Sequence, residues 1–262
     1  ANYLTVSGCT FIGGRIGADI KGQAPDIRNV GNILSNNLFY GQNENALNAE
    51  NQDDIVIVGN EMYDVTSNSS YVLLLNECYG EVRAERNKVY TSHGAGGIGL
   101  NNVIGTATNR AIVANNMIVC NDDGQSNLMR SPLNVIQANY LDVVYNSVKM
   151  TAPERGNVPA TTFGGTSLNN CRLVNNIIVS LDAVNFALSY QPGTSTSNEL
   201  SNNVYYSNGV VLNRRVASSY TSLDAWKTAI PEDSLSLSVN PNFLNASLVD
   251  LRTYSRAIKG SG

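Results

Sequence analysis

"LVNNIIVS", at Leu173–Ser180, is nearly duplicated three times in the chain: "LSNNLFYG" at Leu34–Gly41, "VANNMIVC" at Val113–Cys120 and "LSNNVYYS" at Leu200–Ser207. In each copy a pair of asparagines separates two short apolar runs. Aligning on the second residue of each pair, or its equivalent, gives anchors at Cys9, Asn37, Asn60, Asn87, Asn116, Asn146, Asn176 and Asn203. These stand 28, 23, 27, 29, 30, 30 and 27 residues apart. An apolar residue follows every anchor by two positions: Phe11, Phe39, Met62, Val89, Ile118, Val148, Ile178 and Tyr205. Apolar residues also alternate ahead of it, as in Ile55–Val58, so each repeat reads as strand, turn, strand.

The period is too irregular for a helical solenoid and carries no helical spacing. A coil of this size holding three short strands fits a right-handed parallel β-helix, an all-β fold with coils stacked about 4.8 Å apart. About eight coils make a rod of about 38 Å on that spacing. The anchor asparagine has two expected uses. The corner between strands needs a left-handed backbone, which asparagine tolerates. Stacked asparagines also hydrogen-bond from coil to coil, forming a ladder of satisfied buried amides.

Composition agrees. Only 15% of residues are charged, and Asn and Gly, poor helix formers, are abundant. A net charge of −4 gives no footprint for nucleic acid, and no run of about 20 apolar residues is present to span a bilayer. The four cysteines, Cys9, Cys78, Cys120 and Cys171, show neither CxxC nor metal-ligand spacing and fall at different phases of the repeat. Buried free thiols are expected.

Through this ladder, over Tyr3–Arg215, the chain resembles the right-handed parallel β-helix proteins of the pectate-lyase-like superfamily: pectate lyases, polygalacturonases, alginate lyases and epimerases, and phage tailspikes. The tail, "SYTSLDAWKT" at Ser219–Thr228 and "NPNFLNASLVDLRTYSRAI" at Asn240–Ile258, resembles the closing segment of secreted bacterial members. The resemblance implies a secreted, periplasmic or cell-surface location and a polysaccharide partner. It also implies that the ladder corner lies between the second and third strands of each coil. First strands are then expected at Ala18–Gln23, Ala46–Asn51, Tyr71–Asn76, Gly97–Asn102, Asn127–Ser131, Thr161–Thr166 and Phe186–Tyr190. Inward residues on them include Ile20, Leu47, Leu73, Ile98, Phe163 and Leu188. Outward residues include Asp19, Lys21, Asn48, Glu50, Asn76, Asn101, Arg130 and Tyr190.

Relatives bind acidic polysaccharides along this outward face. The expected substrate contacts here are Asp19, Asn48, Asn76, Asn101, Arg130 and Tyr190. The expected catalytic group is Lys21, Glu50, Asp53, Asp54 and His93. A uronate lyase needs a base for the C5 proton and a charge against the substrate carboxylate, which lysine or arginine supplies. No cofactor is required; Asp53 and Asp54 are a candidate Ca²⁺ pair. "NQDD" (Asn51–Asp54) and "SHG" (Ser92–Gly94) resemble polygalacturonase signatures. However, 39 residues separate Asp54 from His93 and the family's Arg-Ile-Lys motif is missing. The Gly94, Gly96, Gly99 spacing resembles a dinucleotide loop but precedes strand-like sequence, so it reads as a turn.

A solenoid must cover its last core layer. Residues 1–215 are read as the β-helix and 216–262 as a cap packed on its last coil. Leu223–Ile230 is expected to form a short amphipathic helix, and Asn240–Leu251 to join it there. No counterpart precedes Tyr3–Phe11. The chain is therefore expected to be the C-terminal portion of a longer rod, or to self-associate through its first coil. The functional expectation is a polysaccharide lyase or glycoside hydrolase. The alternatives are a non-catalytic glycan-binding or structural module and a tailspike-like fragment.

Overall fold

Each short apolar run finds its partner one repeat away rather than next to it in sequence: Val6 pairs with Leu34, Leu34 with Ile57, and Ile57 with Ala84. The computed structural model describes residues 1–262 except 24–26, 67–69, 123–129, 152–156, 194–196, 246–248 and 254–262. Across the described residues these pairings generate a right-handed parallel β-helix of about 7 turns. Sheet A holds the eight strands that precede the anchors, from Thr5–Ser7 to Glu199–Ser201, and sheet B the eight that follow them, from Thr10–Ile12 to Val204–Ser207. Sheet C carries the longer first strands: Ile16–Lys21, Asn45–Asp53, Tyr71–Tyr79, Gly96–Ile104, Leu133–Asn139, Pro159–Asn169, Phe186–Gln191 and Asn213–Arg215.

The apolar residue two places after each anchor builds one inward column of sheet B. From Phe39 to Tyr205 every member of it is fully buried. Sheet C contributes two inward columns. One runs Leu47, Leu73, Ile98, Leu133, Thr161, Leu188; the other runs Ile20, Ala49, Leu75, Leu100, Val135, Phe163, Tyr190. Two first-strand expectations are corrected. The fifth strand is not Asn127–Ser131, of which 127–129 lie outside the described residues, but Leu133–Asn139. Tyr190 points inward, 4% exposed and stacked on Phe163 with centroids 6.2 Å apart. It lies two residues after inward Leu188, and strand positions two apart share a face.

The two asparagines divide the labour expected of one. The left-handed residue is the one before the anchor: Gly8, Asn36, Gly59, Arg86, Asn115, Tyr145, Asn175 and Asn202 have φ between 53° and 67°. The anchors form the ladder. From Asn37 to Asn176, the backbone N–H and the Nδ2 of each anchor both donate to the Oδ1 of the next, at 2.9–3.2 Å. The second Nδ2 hydrogen reaches a sheet A carbonyl of the preceding coil, as from Asn116 to Ala84 at 2.9 Å. Each interior amide thereby makes every bond it can, which is what burying it demands.

At the C-terminal end, Ser236 Oγ accepts the Asn203 N–H at 2.8 Å, and the Leu237 N–H donates to the Asn203 carbonyl at 2.8 Å. The cap therefore continues the ladder by one step. Ser236 donates in turn to Asp233, a fully buried carboxylate that also accepts from Tyr205 Oη at 2.8 Å and Trp226 Nε1 at 2.7 Å. The helix Leu223–Ala229, N-capped by Ser222, lays Trp226 edge-on against Tyr205 and Tyr220. Asn240–Leu251, expected to join the helix, does not cover this end. The antiparallel pair Phe243–Asn245 and Asp250–Thr253 lies against the side wall, where Phe243, Val249 and Leu251 pack on Tyr63, Tyr90, Met117 and Val119 of sheet B. The apolar stripe on the wall is open to it, whereas the rod's end is already filled by Trp226. Cys78, Cys120 and Cys171 are buried free thiols as expected, whereas Cys9 is exposed.

Two outcomes follow. Replacing Asn116 by Ala orphans the Asn87 donors and should cost about 3–5 kcal/mol in urea unfolding. Asn115→Gly, at the left-handed site, should stay within about 1 kcal/mol of wild type. Burial raises the Asp233 pKa above its ordinary 3.8, against the pull of its three donors. The protonated form is thus favoured by folding, and the stability it adds is lost as pH rises through the raised value. Unfolding free energy of wild type relative to Asp233→Asn should therefore fall as pH climbs from below 3.8.

Candidate functional site

Sheet C is the widest face, and its strand alternation sends two columns of side chains outward. The first runs Asp19, Asn48, Leu74, Gly99, Asn134, Thr162, Ser189; the second runs Lys21, Glu50, Asn76, Asn101, Ile136, Gly164, Gln191. Neighbours within a column stand about 4.8 Å apart, so polar side chains in register link up. Asn101 Nδ2 donates to Asn76 Oδ1 at 2.6 Å, Asn76 Nδ2 to Glu50 Oε1 at 3.5 Å, and Asn48 Nδ2 to Asp19 Oδ1 at 2.8 Å. Lys21 Nζ ends this track on the first coil, 3.6 Å from both Asp19 and Glu50. Pairs this exposed contribute little stability.

The expected catalytic group divides. Lys21 and Glu50 are neighbours on the outward face. Asp53 lies past a left-handed bend at Asn51 and is held by Arg28 at 3.3 Å; Arg28 also covers the Tyr79 ring at 3.7 Å. Asp54 occupies a left-handed corner, and its Oδ1 accepts the Glu81 N–H at 2.7 Å. His93 lies before Gly96–Ile104, three coil steps from Lys21, and its backbone forms an isolated antiparallel β-bridge with that of Asp122. Asp53 and Asp54 thus face different partners, and no group of three His, Cys, Asp or Glu side chains converges among the described residues. That donor set does not fit Ca²⁺.

The face holds a cleft of about 450 Å³, lined by Tyr71, Leu74, Asn76, Asn101, Arg130 and Asn134. Arg130 is not on a strand; it precedes Leu133–Asn139 and returns over the Tyr71 ring at 5.4 Å. It has no acidic partner among the described residues, and its Nε is shielded with no hydrogen-bond partner. Burial raises the Tyr71 phenol above the ordinary tyrosine value, opposed by Arg130 and Asn134. Tyr71 therefore stays protonated and available as a donor.

Sequence reasoning missed Tyr71 as a site residue, yet a signal was present. A glycine inside a strand marks close approach of another group. A Cβ on Gly99 would stand 2.5 Å from the Tyr71 ring, and one on Gly96 2.3 Å from it. The run "HGAGGIG" (His93–Gly99) thus makes room for an aromatic ring laid across the next coil.

Gly99→Ala should dislodge Tyr71 and cost about 1–3 kcal/mol in urea unfolding. In a double-mutant cycle, Tyr71→Ala should then cost clearly less in the Gly99→Ala background than in wild type.

Comparison with protein-family models, with curated proteins and with solved structures returns no match for this chain.

Proposed function

We propose that this protein binds an extended acidic polysaccharide along the outward face of sheet C, anchored in the Tyr71–Arg130 cleft. The observation that carries this reading is Arg130: a guanidinium with no acid beside it among the described residues, poised over an aromatic ring in a concave, amide-lined site. A planar fork of donors suits a carboxylate, and the Tyr71 ring offers an apolar platform with a polar tip. Asn76 and Asn101 extend the site from Arg130 along the face, matching a ligand with hydroxyls at regular intervals and a carboxylate at the Arg130 end.

Cleavage is the second reading, favoured by Lys21 at the end of that track. Elimination needs a cation opposite the uronate carboxylate and a base at C5. The cleft supplies the cation, but its phenol is held protonated, while Lys21 sits between two carboxylates two coil steps from Tyr71. The arrangement holds a carboxylate better than it removes a proton, so binding leads.

Calorimetric titration with polygalacturonate, alginate and a neutral glycan, with and without Ca²⁺, tests the reading. A polyuronide should bind and the neutral chain should not. Arg130→Ala should weaken binding about 10- to 100-fold, the worth of a charge-assisted hydrogen bond. Release of unsaturated uronate would promote the lyase reading; absence of binding to every polyuronide would remove both.

A further inference from the structure

The Tyr71–Arg130 pair has a counterpart further along sheet C. Tyr71 stands two residues before inward Leu73, and Phe186 two residues before inward Leu188. Leu73 and Leu188 belong to one column, joined in register through Ile98, Leu133 and Thr161. The two rings thus share one phase of the coil, about 19 Å apart on the interstrand spacing. Each carries a guanidinium: Arg130 lies over Tyr71 at 5.4 Å and Arg214 over Phe186 at 4.5 Å. Arg214 continues the first outward column, beside Ser189. Its Nε donates to Ser219 Oγ at 3.1 Å and its Nη2 to Asn157 Oδ1 at 2.9 Å, and no acid pairs with it among the described residues. A guanidinium has more donors than these two neutral acceptors use.

The wall between the two pairs is recessed and polar. Asn134, Thr162 and Ser189 point outward in register, yet Asn134 and Ser189 are only 7% and 6% exposed. Ile136 and Gln191, both exposed, flank this floor on one side, and Arg130 and exposed Asn157 flank it on the other. Charge gives the groove a direction. On the N-terminal side of the cleft the outward columns carry Asp19 and Glu50 against the single cation Lys21. On the C-terminal side, from Asn134 and Ile136 to Gln191 and Arg214, they carry no acid. A polyanion held at Arg130 is therefore repelled toward the first coil and drawn toward Arg214.

We propose that Arg214 forms a second carboxylate subsite, so that the ligand of this face is an oligouronate long enough to reach from Arg130 to Arg214 across Asn134, Thr162 and Ser189. This rests on the polyuronide reading above and adds a direction and a length to it. Each guanidinium takes one carboxylate through its fork of donors. The amide and hydroxyls of the floor meet the sugar hydroxyls in between. Once one carboxylate is bound, capture of the second is intramolecular, so chain length itself raises affinity.

Calorimetric titration with trimers and hexamers of galacturonate and of mannuronate tests the second subsite, because a trimer fits the cleft but is too short to join the two arginines. Wild type should bind the hexamer of at least one uronate about tenfold or more tightly than the trimer. Arg214→Gln should lower the hexamer affinity about 10- to 100-fold and leave the trimer affinity unchanged; the retained trimer binding also shows that the variant is folded. Arg214→Lys, which keeps the charge, should retain more hexamer affinity than Arg214→Gln. Arg130→Ala should weaken both lengths. Equal affinity of wild type for trimer and hexamer, or a hexamer affinity that Arg214→Gln leaves intact, would overturn the second subsite while the Arg130 anchor stands. Failure of both hexamers to bind wild type would remove the subsite and the polyuronide reading together.

Discussion

A buried side-chain amide must make all its hydrogen bonds or be expelled, and in this chain that requirement fixes how one coil sits on the next. The anchor asparagines satisfy it only when the coil above places its own amide directly overhead. Each Oδ1 takes two donors from one neighbouring coil, and each Nδ2 divides its hydrogens between the other neighbour and a backbone carbonyl. A slip of one residue in register would strand all of these groups at once. The apolar columns beside the ladder, Leu34 to Leu200 in sheet A and Phe39 to Tyr205 in sheet B, stack in register because the amides do. The cap obeys the same rule: Ser236 receives the last donor, and Asp233 ties Ser236, Tyr205 and Trp226 into the end of the rod.

The candidate site arises where the repeat is broken rather than where it is kept. Residues in register on sheet C give a mainly polar wall, from Asp19, Lys21 and Glu50 through Asn48, Asn76 and Asn101 to Ser189 and Gln191. The cleft appears because Gly99 and Gly96 omit side chains, Tyr71 falls across the space, and the segment before Leu133 sends Arg130 back over that ring. The scaffold supplies spacing and rigidity; the exceptions supply chemistry.

How much of this is legible in the sequence follows the same division. The coils are legible because a strand has period two and the ladder repeats, so the anchors and the core residues two places later stand out. The split of work between the paired asparagines is not, since Asn suits both a left-handed corner and a ladder; Gly59, Arg86 and Tyr145 before their anchors are the clue. Phase alone places Lys21 and Glu50 together. Motif alone groups Asp53, Asp54 and His93, and motifs ignore the bend at Asn51 and the partners Arg28 and Glu81 that claim the two aspartates. Tyr190 fails on parity. The side-wall position of the strand pair Phe243–Asn245 and Asp250–Thr253 cannot be foreseen, because its seat of Tyr63, Tyr90, Met117 and Val119 is drawn from three different coils.

Everything above the single coil depends on the ladder, and amide hydrogen exchange reads it directly. The backbone N–H groups of Asn60, Asn87, Asn116, Asn146 and Asn176 each donate to a side-chain oxygen of the next coil. They should exchange only through global unfolding, together and among the slowest in the protein. Exchange of these five amides as fast as that of exposed turns would contradict it, since the coils would then be held together by something other than their stacked asparagines.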